Sequence, residues 1–371
     1  MISRPSLLSG LVGLAAVSSG FAARDQVIHA GFDAGAIDRD IAFHQGRVAR
    51  DPKGAIGWSM LSAAYLAKSK EFDLDSAAWE AEAAARKSLE LRRKGNVSAA
   101  KRLVSSLLEQ HRFQDALLAI DDALTIAPGD WSGTATKADI LMELGRLDDA
   151  EALLKKMPEH EFVFTPQRAR AASLRGRHKD ALAMLQAAYA ELDKNMDVSR
   201  PTLAWFEVKM AGEQLAMGDF GACEASLKSA LADHPRSYKA CLGMAKLALA
   251  RKNAAEGSRW ASATLEIADS MEAKTLLYTA ATMAHHTDEA DRWKSAILDQ
   301  WNSEDAKFGQ LQKGGSLQVR PEDRMFATFC REHGIVSANS RTAAMRDLAN
   351  RPDSLAVENA KVLAPDALAP K

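Results

Sequence analysis

The feature that most constrains this chain is a helix–turn–helix unit that recurs about every 34 residues along most of its length. Within 97–130, apolar residues recur at helical spacing: Leu103, Leu107 and Leu108, then Ala116, Leu117, Ile120 and Leu124. His111-Arg112-Phe113 separates the two helices, and Pro128 ends the second because it cannot continue a helix. One repeat further on, Ala138, Leu141, a turn at 144–147, Ala150 and Leu154 fill the same slots. Ala169, Ala172, the turn 175–178, Ala181, Leu185 and Ala188 follow, then Ala211, the turn 217–220, Cys223, Leu227 and Ala230. Met244, Ala245, Ala248, a weaker turn at Lys252-Asn253, Gly257 and Ala261 continue the series. A lone helix pair of this kind cannot bury its apolar face, so the pairs must stack into one continuous core.

Composition agrees. Of 371 residues, 47% are hydrophobic and 26% charged, which excludes a disordered, collagen-like or polytopic membrane chain. Alanine is abundant and aromatics are only 6%, as closely approaching helices require. Lys and Arg number 48 against 49 Asp and Glu, so the basic excess of a general nucleic-acid binder is missing. Three Cys cannot build a disulfide framework. Cys223 and Cys241 fall on successive helices of neighbouring units, as two buried thiols or as a disulfide.

Trp58-x2-Leu61-Ser62-x2-Tyr65 matches the first half of a known signature, with Ser62 in place of Gly. Gln114-Asp115-Ala116-Leu117 through Ala127-Pro128 matches its second half, and Asp51-Pro52 and His234-Pro235 are further repeat-closing prolines. Over roughly 37–304 the chain therefore resembles the tetratricopeptide repeat family. The resemblance implies an all-α fold: a right-handed α-solenoid of stacked helix–turn–helix repeats with helical caps. It places repeats at 55–304 in six or seven units starting near 55, 97, 131, 162, 204, 238 and 271. Polar insertions around Lys70–Ser76 and Asp193–Arg200 read as lengthened loops. Residues 23–54 read as a linker and a capping helix. After Trp301 the repeat phase is lost; 313–316 reads as a flexible break, and 305–371 as a helical cap or small module with a frayed tail.

Residues 1–22 read as an address. Arg4 is the positive region, 7–17 an apolar stretch, and Gly20 and Ala22 are small residues suited to cleavage after Ala22. The stretch is too short and too Ser/Gly-rich for a membrane anchor. The expected location is periplasmic or secreted, with no membrane insertion once the leader is removed. The expectation is an exported family member of bacterial type.

Motifs for chemistry are missing: no P-loop, dinucleotide fingerprint, HExxH or nucleophile elbow occurs. His285-His286 has no carboxylate or thiol at ligand spacing, and His111 and His178 sit in repeat turns. Cys330 lies in a Cys-Arg-Glu-His run without a demonstrable base. The expectation is a non-enzymatic protein without cofactor or metal. In the family, first-helix positions line a concave groove. Carried over, these are Lys101, Ser105, Asp139, Met142, Arg170, Trp205, Lys239, Leu242 and Lys246, with Lys101, Asp139, Arg170, Trp205, Lys239 and Lys246 as the candidate site. Trp205 is either core or groove anchor. The paired Lys and Asn of the chaperone-docking clamp are absent. The implied function is a protein-binding scaffold or assembly factor that takes a peptide or helix in its groove; the partners are proteins, not nucleic acid. The alternatives are a self-assembling envelope component and an accessory subunit of a membrane complex. Nothing in the sequence sets the oligomeric state.

Overall fold

The computed structural model describes residues 35–72, 75–158, 164–194, 198, 200–267, 269–311, 321–350 and 352–367. The expected leader, the break at 313–316 and the end of the tail lie outside them. Among the described residues there are eighteen α-helices and no strand. α1 (Gly35–Arg50) is followed by eight helix pairs and a last helix. The pairs are α2 (Ala55–Phe72) with α3 (Asp75–Leu91), α4 (Val97–Glu109) with α5 (Phe113–Ile126), and α6 (Trp131–Glu143) with α7 (Leu147–Leu154). Next come α8 (Thr165–Leu174) with α9 (His178–Asp193), α10 (Arg200–Ala216) with α11 (Phe220–Asp233), and α12 (Tyr238–Ala250) with α13 (Ala254–Leu265). α14 (Met271–Met283) pairs with α15 (Thr287–Leu311), α16 (Pro321–Glu332) with α17 (Ala338–Asn350), and α18 (Ser354–Leu363) closes the series. The described chain forms two compact units. The first holds 35–158, 321–323 and 344–367; the second holds 164–311 and 324–343.

One turn geometry joins six of the pairs. His111, Gly145, Gly176, Gly218, Lys252 and His285 all have positive φ, from 52° to 76°. Each follows the same two hydrogen bonds, such as Arg112 N to Leu107 O at 2.9 Å and His111 N to Leu108 O at 2.9 Å. This is a Schellman closure, which satisfies the last carbonyls of the first helix and reverses the chain. The turn at Lys252, weak in the sequence, closes as the glycine turns do, with Asn253 N to Ala248 O at 2.9 Å. Gly334 repeats the geometry at the end of α16, with Ile335 N to Cys330 O at 2.8 Å. The same turn geometry thus recurs past the point where the sequence periodicity fades. Arg112 and Arg146 stand at the N-caps of α5 and α7 and reach Asp115 and Asp149, three residues on, at 2.7 and 2.8 Å. Those acids lie at helix N-termini, where the dipole favours negative charge.

Alanine does the packing where helices approach. Ala116, Ala138 and Ala150 in the first unit and Ala181, Ala240, Ala245 and Ala261 in the second have no exposed surface. Larger side chains there would force the axes apart. In the first unit, Ile37, Ile41 and Val48 of α1 pack with Leu61, Ala64 and Ala84. Trp58 leans on that cluster and donates its Nε1 to Pro52 O at 2.9 Å, so it is a packing residue. In the second unit, Ala169 and Ala172 of α8, Leu185 and Ala188 of α9, and Leu203, Phe206 and Met210 of α10 form one cluster. Each fully buried leucine contributes roughly 1.5–3 kcal/mol. The first insertion is not a lengthened loop: α2 runs to Phe72 and α3 starts at Asp75, because Lys70-Glu71-Phe72 extends the helix.

Candidate protein-interaction face

The first helices of the pairs supply the candidate site. In the second unit α10, α12 and α14 lie side by side, α10 against α12 and α12 against α14. In α10, Trp205, Lys209, Gly212 and Ala216 recur at intervals of four, three and four residues, which places them on one helix face. Lys239, Gly243, Lys246 and Ala250 hold the same register in α12, and Glu272, Leu276, Thr279 and Met283 in α14. Arg170 and Leu174 of α8 are spaced as the last two members of each stripe. Lys209, Gly212, Ala216, Lys239, Lys246 and Ala250 are exposed, as are Leu174 at 54% and Met283 at 36%.

Trp205 is half-buried. It packs on the α8–α9–α10 core, stands edge-on to Phe206 at 5.0 Å, and carries the Lys209 ammonium 5.4 Å from its ring centroid. It is thus a core residue with one face on the stripe. Its helix begins at Arg200, a turn before the expected unit start. Lys246 pairs with Glu272 at 2.5 Å. Lys239 lies over the Tyr238 ring at 5.7 Å; desolvation holds its pKa below the usual lysine value, and the Glu272 carboxylate opposes that shift. Glu272 therefore ties Lys239 and Lys246 into one electrostatic group.

Lys101 and Asp139 belong to the first unit. Lys101 is bound to Asp130 at 2.6 Å. Asp139 lies on the α6 stripe Ser132, Thr136, Asp139 and Glu143, at the step that Arg170 and Lys246 hold in the second unit. Met142 and Leu242, expected in the groove, are buried at 6% and 4% exposure. Their helix face turns into the core, so the exposed register runs through Lys209 and Gly212 instead. Sequence reasoning missed both, and Glu272 with them. The four-three-four spacing starting from Trp205 is the signal that finds them.

Gly212 stands out on this face. An added Cβ there would meet nothing within 4 Å, so no packing explains the glycine. A glycine inside a helix costs ~1 kcal/mol relative to alanine. Gly243 and Gly257 differ: a Cβ at either would come within 2.5 or 2.6 Å of Leu227 or Leu249, and both admit close packing.

The other chemical candidates are structural. Cys223, Cys241 and Cys330 are free and buried. Burial pushes the Cys223 thiol up to about 11 and the Cys330 thiol up to about 12. Such thiols carry almost no thiolate at neutral pH. His178 contacts Glu213 at 2.8 Å and links α9 to α10. Among the described residues no group of three or more His, Cys, Asp or Glu is arranged to hold a metal ion. No described helix is long and apolar enough to cross a membrane. An open cavity of about 600 Å³ beside α13 is walled by Leu231, Cys241, Trp260 and Ile267 and by the charged Arg236 and Glu266.

Stacked helix pairs closed by a common turn define an α-solenoid of helical repeats. Residues 107–175 match the tetratricopeptide repeat family. Solved structures share the fold. A tetratricopeptide repeat protein from Parabacteroides merdae is 13% identical, with 73% of this chain and 99% of that one covered and a TM-score of 0.55. Cut9–Hcn1, described as an APC/C hetero-tetramer, is 17% identical with a TM-score of 0.55; the alignment covers 67% of this chain and 46% of that one, so this chain spans under half its length. The human IFIT1 dimer with PPP-AAAA is 13% identical, with 85% and 73% covered and a TM-score of 0.54. At these identities the likeness is one of fold. No curated protein matches the sequence.

Proposed function

We propose that this chain is a non-enzymatic scaffold that acts outside the cytoplasm and binds a segment of a partner protein on the first-helix face of its second unit. The observation that supports the reading is the spacing shared by α10, α12 and α14, whose exposed members are Lys209, Gly212 and Ala216 in α10, Lys239, Lys246 and Ala250 in α12, and Met283 in α14. A face repeated in this way is preformed, so a ligand binds it with little ordering cost. Trp205 supplies an aromatic anchor, and Lys209, Lys239 and Lys246 supply charge. The location rests on the leader-like residues 1–22, with cleavage after Ala22.

The test is capture of neighbours from the extracytoplasmic fraction by the tagged chain at native level, beside a Lys239→Glu/Lys246→Glu variant. Partners held by the wild type and lost by the variant, with helicity unchanged, support the reading. Partners held equally by both overturn the face. A mature chain that still begins at Met1, or that is missing from that fraction, overturns the location.

A further inference from the structure

The open cavity of about 600 Å³ beside α13 shares no lining residue with the first-helix stripes. Its size falls within the range of about 300–1,000 Å³ in which small molecules bind, and such sites combine apolar and aromatic walls with a few polar groups. Leu231 of α11 and Ile267, just past α13, are half-buried on its apolar side. Trp260 of α13 is the aromatic wall. Its ring is already held, because Nε1 donates to Glu256 Oε1 at 2.8 Å and the Arg259 guanidinium stands 4.6 Å from the centroid. Arg236 sits on the α11–α12 connection, where Pro235 restricts the backbone and Ser237 N bonds His234 O at 3.0 Å. Glu266 is the C-cap of α13. A helix C-terminus carries partial negative charge, so a carboxylate there is disfavoured until a cation meets it. Among the described residues, neither the Arg236 nor the Glu266 side chain makes an ion pair or hydrogen bond, with each other or with any other group. One cavity thus presents an unpaired guanidinium and an unpaired carboxylate beside an apolar, aromatic wall.

We infer that this cavity binds a small zwitterion with an apolar side chain, of the class of a free apolar amino acid: its carboxylate meets Arg236, its ammonium meets Glu266 at the end of α13, and its side chain lies among Trp260, Leu231 and Ile267. The site is separate from the interaction face and does not depend on that reading. A ligand of one charge leaves either Arg236 or Glu266 without a partner, and a neutral one desolvates both for no return. A guanidinium takes a carboxylate through two parallel N–H donors, which fixes the direction of the ligand. The ammonium gains from the Glu266 charge and from the negative end of the α13 dipole together. Cys241 also lines the cavity. It is 3% exposed and burial raises its thiol pKa, so it packs rather than reacts, and binding involves no covalent step.

The test is isothermal titration calorimetry of the full chain with free leucine and free phenylalanine. Three comparison probes accompany them: leucinamide keeps only the ammonium, N-acetyl-leucine keeps only the carboxylate, and leucyl-leucine carries both on a longer backbone. The free amino acids are expected to bind at one site per chain, and each one-charge analogue about tenfold more weakly. Arg236→Ala is expected to weaken the amino acids about tenfold and to leave leucinamide unchanged; Glu266→Gln weakens them similarly and leaves N-acetyl-leucine unchanged. Both positions are exposed, and circular dichroism checks that each variant folds. No binding of either amino acid overturns the site. One-charge analogues that bind as well as leucine overturn the zwitterion, and tighter binding of leucyl-leucine overturns the free amino acid. Amino-acid affinity that neither variant changes overturns the assignment to this cavity.

Discussion

The Tyr189 hydroxyl on α9 donates to Oε1 of Glu207 on α10 at 3.1 Å and thereby places a carboxyl in a core that is otherwise apolar. Glu207 is 3% exposed, in the slot that Ala100 and Cys241 occupy in other repeats. Its Oε2 has no well-formed hydrogen bond, although the Ser229 hydroxyl on α11 is near enough to favour the charged form. Burial raises its pKa above the usual carboxylate range, and Asp193 on α9 and Asp233 on α11 add to the rise. Asp233 is itself paired with Arg200 of α10 at 2.8 Å. The same burial and the Glu207 charge push the Tyr189 phenol up to about 12.

A raised folded-state pKa means that the native chain holds this proton to higher pH than the unfolded chain does. The stability contributed by Glu207 is therefore full at acid pH and declines as pH rises through the raised value. Glu207→Gln is expected to stabilise the chain near neutrality by about 1–3 kcal/mol, the cost of an imperfectly satisfied buried group, and to flatten the slope. Urea midpoints for both chains across the acid-to-neutral range check it. Parallel curves would mean that Glu207 ionises as freely in the fold as outside it.

The shared turn makes a second prediction. His111, Lys252 and His285 adopt left-handed backbone with side chains attached, at φ of 52°, 61° and 60°. An L-residue there is strained by roughly 1–2 kcal/mol, and glycine relieves the strain while adding freedom to the unfolded chain. Replacing each by Gly is expected to give a net gain of about 0.5–1 kcal/mol. Gly176→Ala and Gly218→Ala are expected to lose a similar amount. Thermal melts that rank these variants the other way would show that the turn tolerates the side chains without strain.

These turns also show what was legible in the sequence and why. Gly145, Gly176 and Gly218 mark their turns by residue type alone. His111, Lys252 and His285 do not, and only the spacing between Ala and Leu slots places them. The helix pairs were readable because each buries one periodic face. α16 and α17 were not readable as a pair: their buried set mixes Phe326, Phe329 and Cys330 with Asp323, Ser340 and Asp347, which breaks the apolar pattern. At the candidate site the charged residues were readable and the register was not. A one-position error on a helix turns a residue by about 100°, enough to exchange Leu242 for Gly243.

Trp301 and Phe326 predict how the second unit ends. Their rings stack at 4.5 Å with planes 9° apart, and neither has more than 1% exposure. Nearby, Tyr278 and Phe329 meet edge to face at 5.2 Å, and His333 lies 4.6 Å from Tyr278. α16 therefore covers the apolar faces of α14 and α15. Trp301→Ala is expected to cost about 3–5 kcal/mol. It should raise amide exchange in α16 more than in α8 and α9. Uniform acceleration across both regions would mean that the unit unfolds as one block and the stack is not a separable lock.

The last prediction concerns a buried charge network in the first unit. Glu82 of α3 is 7% exposed and receives Arg112 at 2.7 Å and the Gln110 amide at 2.9 Å. Arg86 completes the set at 2.7 Å from the other carboxylate oxygen. Arg112 also reaches Asp115 and stands 5.6 Å from the centroid of the Trp79 ring, so one guanidinium joins α3 to the N-terminus of α5. Removing it leaves Glu82 with Arg86, which is largely in solvent, and a neutral amide. Arg112→Met is expected to cost about 3 kcal/mol, the low end for breaking a buried pair, because Arg86 still offsets part of the charge. Glu82→Leu alone should cost less, since Arg112 keeps Asp115. The double variant Glu82→Leu/Arg112→Met should be more stable than Arg112→Met, because no charge is then stranded. A double-mutant cycle from urea midpoints reads the coupling directly. Strict additivity would show that Arg112 acts on α5 through Asp115 and Trp79 alone, and that Glu82 is satisfied without it.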